Sequence, residues 1–523
     1  MKQANFIGCI IALAPMLILL ILVGSRTDWQ FIYTLDDPYI HLALAKGIHN
    51  FHYGINNYEY SAPSSSILWP FLLAPWASIK GFWLTPLIIN LSCFSGTVLL
   101  AQRFISQNLK TSPLHAWTLS SFAAFCLNIY GLVFTGMEHS LQILLVTIIA
   151  VSLANQNLSR SFWVSIFLLP LIRYEGLAIS LPVLIYTGFQ GEITRSRALM
   201  TGTLLLVSLL LFTAFLWILG LGYLPSSVFA KQSATTVNSF LELGNSLAGS
   251  VKKNISSDPT LTILIFAFFS SIATWSRDKF RILILLIAPT ALHLGLGSTG
   301  WWGRYEVYIL WYVLIIATDL LIRRSKGHLT QSVVASASQN ARLKVALPKK
   351  RVLIPLLLIF FIGTQGLWQK TRFTAAASKN IYDQQVQMAL IASEYLNKPV
   401  AVNDLGAVAL SSKQYVLDLW GLGSYEALSL RREGSDPQIW IPQLMNKKKV
   451  DHAIVYDKWF PIIPDNWIKV AELKLPGKRL TPASSVVSFY STSQSSAKIM
   501  LDSINKYISD HKSKAKMIRF FYY

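Results

Sequence analysis

Charge is scarce in these 523 residues: Asp, Glu, Lys and Arg make up 14% of the chain, against 53% hydrophobic residues. A soluble chain of this length would need charged surface for about three or four domains, so this composition and a mean hydropathy of +0.45 exclude that and place the chain in a bilayer. Cysteine is scarcer still. Cys9, Cys93 and Cys126 all sit inside apolar runs, which excludes a disulfide framework and a thiolate metal site. There is no internal repeat, neither the inverted halves of many transporters nor a solenoid period. Acidic residues are the rarest charge, with only 12 of the 25 preceding residue 369.

What is abundant is the long apolar run. A spanning helix needs ~20 mostly apolar residues to cross a hydrocarbon core ~30 Å thick. About eleven segments qualify: Phe6 to Val23, then 83–101, 115–133, 138–155, 160–172, 175–190, 199–221, 259–275, 281–297, 304–322 and 352–368. The first follows one Lys and lacks a small-residue cleavage site, so it reads as a retained helix rather than a signal peptide. With the N-terminus cytoplasmic, alternation places 17 basic residues on the inner connections and eight on the outer ones within residues 1–368. That asymmetry is the positive-inside rule.

The fold class that follows is a polytopic α-helical membrane protein. Residues 1–368 form the membrane module, with a first outer loop at 25–82 and a cytoplasmic loop at 323–351. Eleven crossings leave 369–523 outside as an extracytoplasmic soluble α/β domain. Helix-like 386–396, strand-like 400–404, 415–419, 453–456 and 485–490, and a basic helix near 496–519 carry that reading. The tail holds 21 basic and 13 acidic residues, a net +8 facing anionic membrane lipids. The basic residues elsewhere anchor short loops rather than forming a stripe, which excludes a nucleic-acid partner.

Charges at membrane depth cost several kcal/mol unless paired or wet, so the few acidic residues among the spans point to function. Asp36, Asp37, Glu59, Glu138, Glu175 and Glu306 all fall near outer helix ends. The first outer loop reads Tyr33-Thr-Leu-Asp36-Asp37-Pro-Tyr39-Ile-His41. Pro38 suits a first helical turn and makes Asp37 an N-cap candidate, whereas Asp36 lacks that explanation. Adjacent carboxylates repel, which raises one pKa and equips it as a general base or a cation ligand. Further outer clusters are Gly136-Met-Glu138-His139, Arg173-Tyr-Glu175, Leu224-Pro-Ser-Ser-Val-Phe-Ala-Lys231 and Gly300-Trp-Trp-Gly-Arg304-Tyr-Glu306. Each has a plain alternative: Arg173 pairs with Glu175, Lys231 snorkels, and Arg304 closes an aromatic belt.

Taken in order, Asp36-Asp37-Pro-Tyr-Ile, Tyr60-Ser-Ala-Pro-Ser-Ser, Gly-Met-Glu-His, Arg-Tyr-Glu-Gly, the Leu-Pro…Phe-Ala-Lys loop and Gly300 to Arg304 resemble the polyprenyl-phosphate-sugar-dependent glycosyltransferases of the GT-C superfamily, in particular terminal arabinofuranosyltransferases and related bacterial envelope enzymes. The likeness continues in Asn403-Asp-Leu-Gly-Ala and Val416-Leu-Asp-Leu-Trp-Gly-Leu. Ser226-Ser227 and Trp301-Trp302 depart from the commoner pattern.

The resemblance implies transfer of a monosaccharide, with inversion, from a polyprenyl-phosphate donor to a glycan or glycolipid hydroxyl on the outer face of the bacterial cytoplasmic membrane. Asp36 or Asp37 would be the base, with Asp36 favoured because Asp37 has the capping role. Arg304 and Lys231, then Arg173, would bind the donor phosphate; Glu138, His139, Glu175, Tyr39 and His41 would orient acceptor or cations. No metal or other cofactor is required beyond the lipid-linked sugar, although the Asp pair offers a seat for a divalent cation. The alternatives are a lipid-linked glycan ligase or polymerase, a transporter or flippase, and a non-catalytic assembly subunit. Spans nearly free of ionisable residues, Asp319 near an inner end excepted, count against a transporter.

Overall fold

The structure is a computed structural model that describes residues 2–229, 240–256, 258–274, 278–335 and 358–522. Helix occurs at every segment expected to span, the last of them described from residue 358 onward. Four helices are long and apolar enough to cross a membrane: Gln3–Arg26, Phe82–Leu109, Glu192–Ile218 and Lys279–Leu296. His139–Asn155, Arg160–Ile172 and Thr262–Ser271 are apolar but shorter, so four such helices among the described residues stand where eleven crossings were expected. One expected span, 115–133, breaks in two. Pro113–Cys126 ends before Asn128, which adopts the left-handed conformation (φ 59°) that Asn tolerates better than most residues, and Ile129–Val133 follows as a short turn of helix. The helix Val307–Ala335 runs well into the stretch read as a cytoplasmic loop.

The chain condenses into two compact units. The first comprises Met1–Leu19, Leu87–Leu209 and Val237–Phe373 and is helical throughout its described residues. Helix His139–Asn155 packs along Val307–Ala335, where buried Trp311 donates its indole N–H to Thr147 Oγ1 at 2.8 Å. Near the start of Lys279–Leu296 and within Val307–Ala335, buried Asp319 accepts from Arg281 and Arg323, each at 2.9 Å, and Arg281 also caps the Leu153 carbonyl. This pairing settles the charge that a bilayer would otherwise penalise.

The second unit comprises Leu20–Pro86, Leu210–Thr236 and Thr374–Tyr523. Three stretches separated by apolar helices form one body here. The larger part of each was expected on the outer face. The unit is built on a six-stranded sheet of order β2-β1-β3-β5-β4-β6, with β1 Val400–Val402, β2 Val416–Asp418, β3 His452–Val455, β4 Ile468–Lys474, β5 Val486–Ser491 and β6 Ile518–Phe520. β1 pairs in parallel with both β2 and β3; the remaining pairings are antiparallel. Apolar residues of these strands, Leu417, Ala453 and Tyr490 among them, pack with Trp440, Ile441 and Leu444 of the helix Pro437–Lys447.

Two strands were not legible. β4 reads Ile-Lys-Val-Ala-Glu-Leu-Lys with a bulge between Lys469 and Ala471 that breaks the alternation, and β6 is a three-residue edge strand. β6 also shortens the expected C-terminal helix, which spans Gln494–Asp510 behind a Ser493 capping box.

The first outer loop is bound into this unit. Asn56 pairs with both backbone groups of Val416, donating to its carbonyl at 2.9 Å and accepting from its N–H at 3.0 Å. Glu59 accepts from the Tyr415 hydroxyl and meets Lys448 at 3.3 Å. The apolar stretch read as interfacial forms the short helices Trp69–Leu73 and Ala74–Trp76, with Phe71, Leu72 and Trp76 exposed.

Candidate functional site

The helix after the acidic pair starts at Asp37 itself, with Pro38 in its first turn, and spans Asp37–His49. The expected capping role of Asp37 is therefore not what forms. Asp36 occupies the cap position but makes no side-chain cap bond. Its carboxylate accepts instead from the backbone N–H of Gly406 at 2.6 Å and of Ala407 at 2.8 Å. Gly406 permits this approach, because a Cβ there would run into the carbonyl oxygen and carboxylate of Asp36.

A third carboxyl joins the pair. Asp404 stands at the end of β1 and accepts from Gln385 Nε2 and from the Tyr456 hydroxyl, both at 2.8 Å. Burial lifts the Asp36 carboxyl well above the usual carboxylate range, and the Asp404 and Asp37 charges add to the rise against the opposing amides. Asp404 is raised too, first by its removal from water. Two such neighbours hold protons as a pair, so one ionises only at the expense of the other. Asp36 is buried while Asp37 is half-buried. Tyr39 and His41, named as orienting residues, are buried on the same helix; Tyr39 accepts the Tyr33 N–H at 3.2 Å and His41 Nδ1 lies 3.0 Å from Ser64 Oγ.

Asp404 was missed as a site residue although its segment had been singled out. The available signal was a carboxylate two residues beyond a buried parallel strand, where α/β sheets place ligand-binding groups. Asp418, at the end of β2, accepts backbone N–H groups of Trp420 and Gly423 at 2.8 and 2.7 Å, and burial still pushes its pKa up to about 6 from 3.8. The folded state therefore favours the protonated acid, and that stability is full below about pH 4 and lost as pH rises through about 6. The size is about 3 kcal/mol. Asp418→Asn does not titrate, so the melting temperature of the variant relative to the parent should rise between pH 4 and pH 7; a pH-independent difference would contradict the shift.

In the helical unit the other predicted residues gather at helix ends. Arg173 donates to Glu138 at 2.6 Å, and to Glu175 through Nη2 at 2.8 Å and Nε at 3.2 Å. The expected Arg173–Glu175 pair is thus present, with Glu138, wholly buried, as a further partner. The Arg173 and Arg304 guanidiniums lie 5.2 and 5.0 Å from the centre of the Tyr305 ring, and Arg304 donates to the Tyr305 hydroxyl at 3.0 Å. His139 opens the helix His139–Asn155 and packs edge-on to Tyr305. Its Nε2, with Ser140 Oγ and Gln142 Nε2, is buried with no hydrogen-bond partner among the described residues. Glu306 accepts the Gly300 N–H at 2.9 Å and faces Lys370 at 3.9 Å. Sequence reasoning named neither Tyr305 nor Gln142. Such a cluster, two buried guanidiniums and unspent donors at a helix N-terminus, has the chemistry to hold an anion. Lys231 lies outside the described residues. Among the described residues no three His, Cys, Asp or Glu side chains are grouped to hold a metal ion.

Residues 379–490 match a family described as a domain of unknown function (DUF8728). No curated protein matches the chain. Among solved structures the chain is similar to the oligosaccharyltransferase of Archaeoglobus fulgidus, crystallised with zinc and sulfate, at 11% identity and a TM-score of 0.40 over 92% of this chain and 73% of that one.

Proposed function

We propose that the chain is a membrane glycosyltransferase that moves one sugar from a polyprenyl-phosphate donor to a hydroxyl of an envelope glycan or glycolipid, on the outer face of the bacterial cytoplasmic membrane and with inversion. The observation that carries this reading is the carboxyl cluster of Asp36, Asp37 and Asp404. A base that takes a proton from a sugar hydroxyl works best beside groups that can share that proton, and the buried acids Asp36 and Asp404 next to Asp37 are such groups. We assign the base to Asp37. Both oxygens of Asp36 are engaged by the Gly406 and Ala407 amides, while Asp37 is the more exposed of the two. Asp36 becomes a positioning residue that ties the base to the tail.

The attacking oxygen displaces phosphate from the anomeric carbon through an oxocarbenium-like transition state. Negative charge grows on the leaving phosphate, and we assign its stabilisation to Arg304 and Arg173, with Lys231 and His139 in support; Arg suits the task because its fork meets two phosphate oxygens at once. Glu138 and Glu175 hold the Arg173 guanidinium in place. The chemistry needs only the lipid-linked sugar as co-substrate, and a chelator arm in the assay decides whether a divalent cation acts beside Asp36 and Asp37.

The purified chain in nanodiscs, given radiolabelled polyprenyl-phosphate sugars and extracted envelope glycolipids, is expected to lengthen a glycolipid by one sugar. Addition of a preassembled block would instead mark a ligase or polymerase, and no product with any donor would defeat the reading. Arg304→Ala should raise KM for the donor at least about ten-fold, the worth of one charged hydrogen bond, and leave KM for the acceptor nearly unchanged. Equal effects on both would reject its phosphate role.

A further inference from the structure

Three parallel strands of the sheet end side by side. β1 lies between β2 and β3, so the chain leaves β1 toward one neighbour and later returns on the other side, the switch point at which open α/β sheets bind ligands beyond their carboxyl ends. Asp404 follows β1, Trp420 follows β2, and Tyr456 and Trp459 follow β3. The half-buried Trp420 and Trp459 rings have centroids 4.7 Å apart, tilted by 51°, and Trp459 lies 5.6 Å from Tyr456. The Tyr456 hydroxyl donates to Asp404, so a single side chain separates the tryptophans from the acid pair.

Near the same strand ends lie polar atoms without a hydrogen-bond partner among the described residues. Gln385, which donates to Asp404, has a buried Oε1 with no hydrogen-bond partner among the described residues. Asp457 Oδ2 accepts from Ser488 and Tyr490 and meets Lys469 at 3.3 Å, while its buried Oδ1 and the Nε of Arg431, stacked 3.8 Å over Trp420, have no hydrogen-bond partner among the described residues. Buried acceptors and donors without partners cost about 1–3 kcal/mol each, so they favour a ligand that supplies both kinds of hydrogen bond. A lipid chain supplies neither, and a small anion supplies acceptors only. A sugar supplies both. Its hydroxyls donate to Gln385 and Asp457 and accept from Arg431, while its C–H face lies against an indole, whose ring face is the negative side of its quadrupole.

We infer that the carboxyl edge of β1, β2 and β3, with Trp420, Trp459, Gln385, Asp457 and Arg431, seats the acceptor sugar; this deepens, and rests on, the transferase reading above. The test uses the full chain in detergent micelles and methyl glycosides of glucose, galactose, mannose and arabinose as probes, followed by saturation-transfer NMR. At least one glycoside should receive saturation at its ring C–H protons. Trp459→Leu, which keeps apolar bulk without an aromatic face, should weaken that binding about ten-fold, while Trp217→Leu on the 61%-exposed surface of the helix Glu192–Ile218 leaves it unchanged. Should Trp459→Leu fail to fold, Arg431→Gln is expected to weaken binding several-fold at a half-buried position. Unchanged affinity in a folded Trp459→Leu, or no binding of any glycoside, overturns the inference, and one-sugar transfer by the same preparation would leave the transferase standing. Binding without any transfer from lipid donors overturns the acceptor role together with the transferase reading.

Discussion

Asp37→Asn should lower the rate of sugar transfer by about a hundred- to ten-thousand-fold, the usual contribution of a positioned general base, while the protein stays folded. Asn keeps the shape of the side chain and its acceptor oxygen but cannot take a proton. The helix Asp37–His49 has no side-chain cap bond to lose, so its start should survive the change. The measurement is single-turnover transfer from a labelled polyprenyl-phosphate sugar, alongside thermal unfolding of the same sample. A folded Asp37→Asn at parental rate would remove Asp37 from the mechanism. Asp36→Asn should behave differently. An amide turns a donor toward either the Gly406 or the Ala407 N–H, each of which now meets an acceptor. Stability should fall by about 1–3 kcal/mol, with the loss of transfer following from the loosened tail. The order of the two melting temperatures separates a base from its positioning neighbour.

Arg173→Met should destabilise the helical unit by about 3–5 kcal/mol, because it takes a guanidinium away from the wholly buried Glu138. Glu138 is wholly enclosed and Glu175 mostly so, which leaves neither free to recover its hydration. The double change Arg173→Met with Glu138→Gln should regain much of that loss, since no uncompensated charge remains between the two positions. Arg173→Lys should fall between, as an ammonium cannot serve Glu138 and both Glu175 oxygens with a planar fork. Denaturation in detergent by heat or by SDS reads these differences. A single Arg173→Met with parental stability would show that the ion pairs hold nothing together.

The residues that sequence reasoning picked out and the partners it missed divide along a physical line. Asp36, Arg173 and Arg304 were noticeable because a charge near an apolar run is costly and must have a reason, and that reason is local. Their partners were not noticeable. Gly406 and Ala407 lie some 370 positions from Asp36 and contribute only backbone amides, which every residue possesses. Glu138 was on the list but not as the partner of Arg173, since nothing in either segment states that the helix ends on which they sit are neighbours. The preference for Asp36 over Asp37 as the base likewise rested on local uses alone. It weighed a local use for one carboxylate, the helix cap, against none for the other, whereas the stronger demand on Asp36 comes from the tail.

Secondary structure follows the same division. β1, β2, β3 and β5 are short stretches rich in β-branched, aliphatic or aromatic residues and free of Lys, Arg and Glu, a composition that marks buried strands. β4 and β6 carry Lys, Glu and Arg on an outer part of the sheet, and only their pairing with β5 and with each other makes them strands.

The scarcity of charge and the length of the apolar runs are properties of solvation, summed residue by residue, and from them the amino-acid sequence alone determined a chain of apolar, membrane-length helices with a polar α/β tail. Which residues touch is a property of packing between distant segments. Only the tertiary structure decided that 20–86, 210–236 and 374–523 form one body, that Asp404 completes the carboxyl cluster, and that Arg173 is claimed by two glutamates.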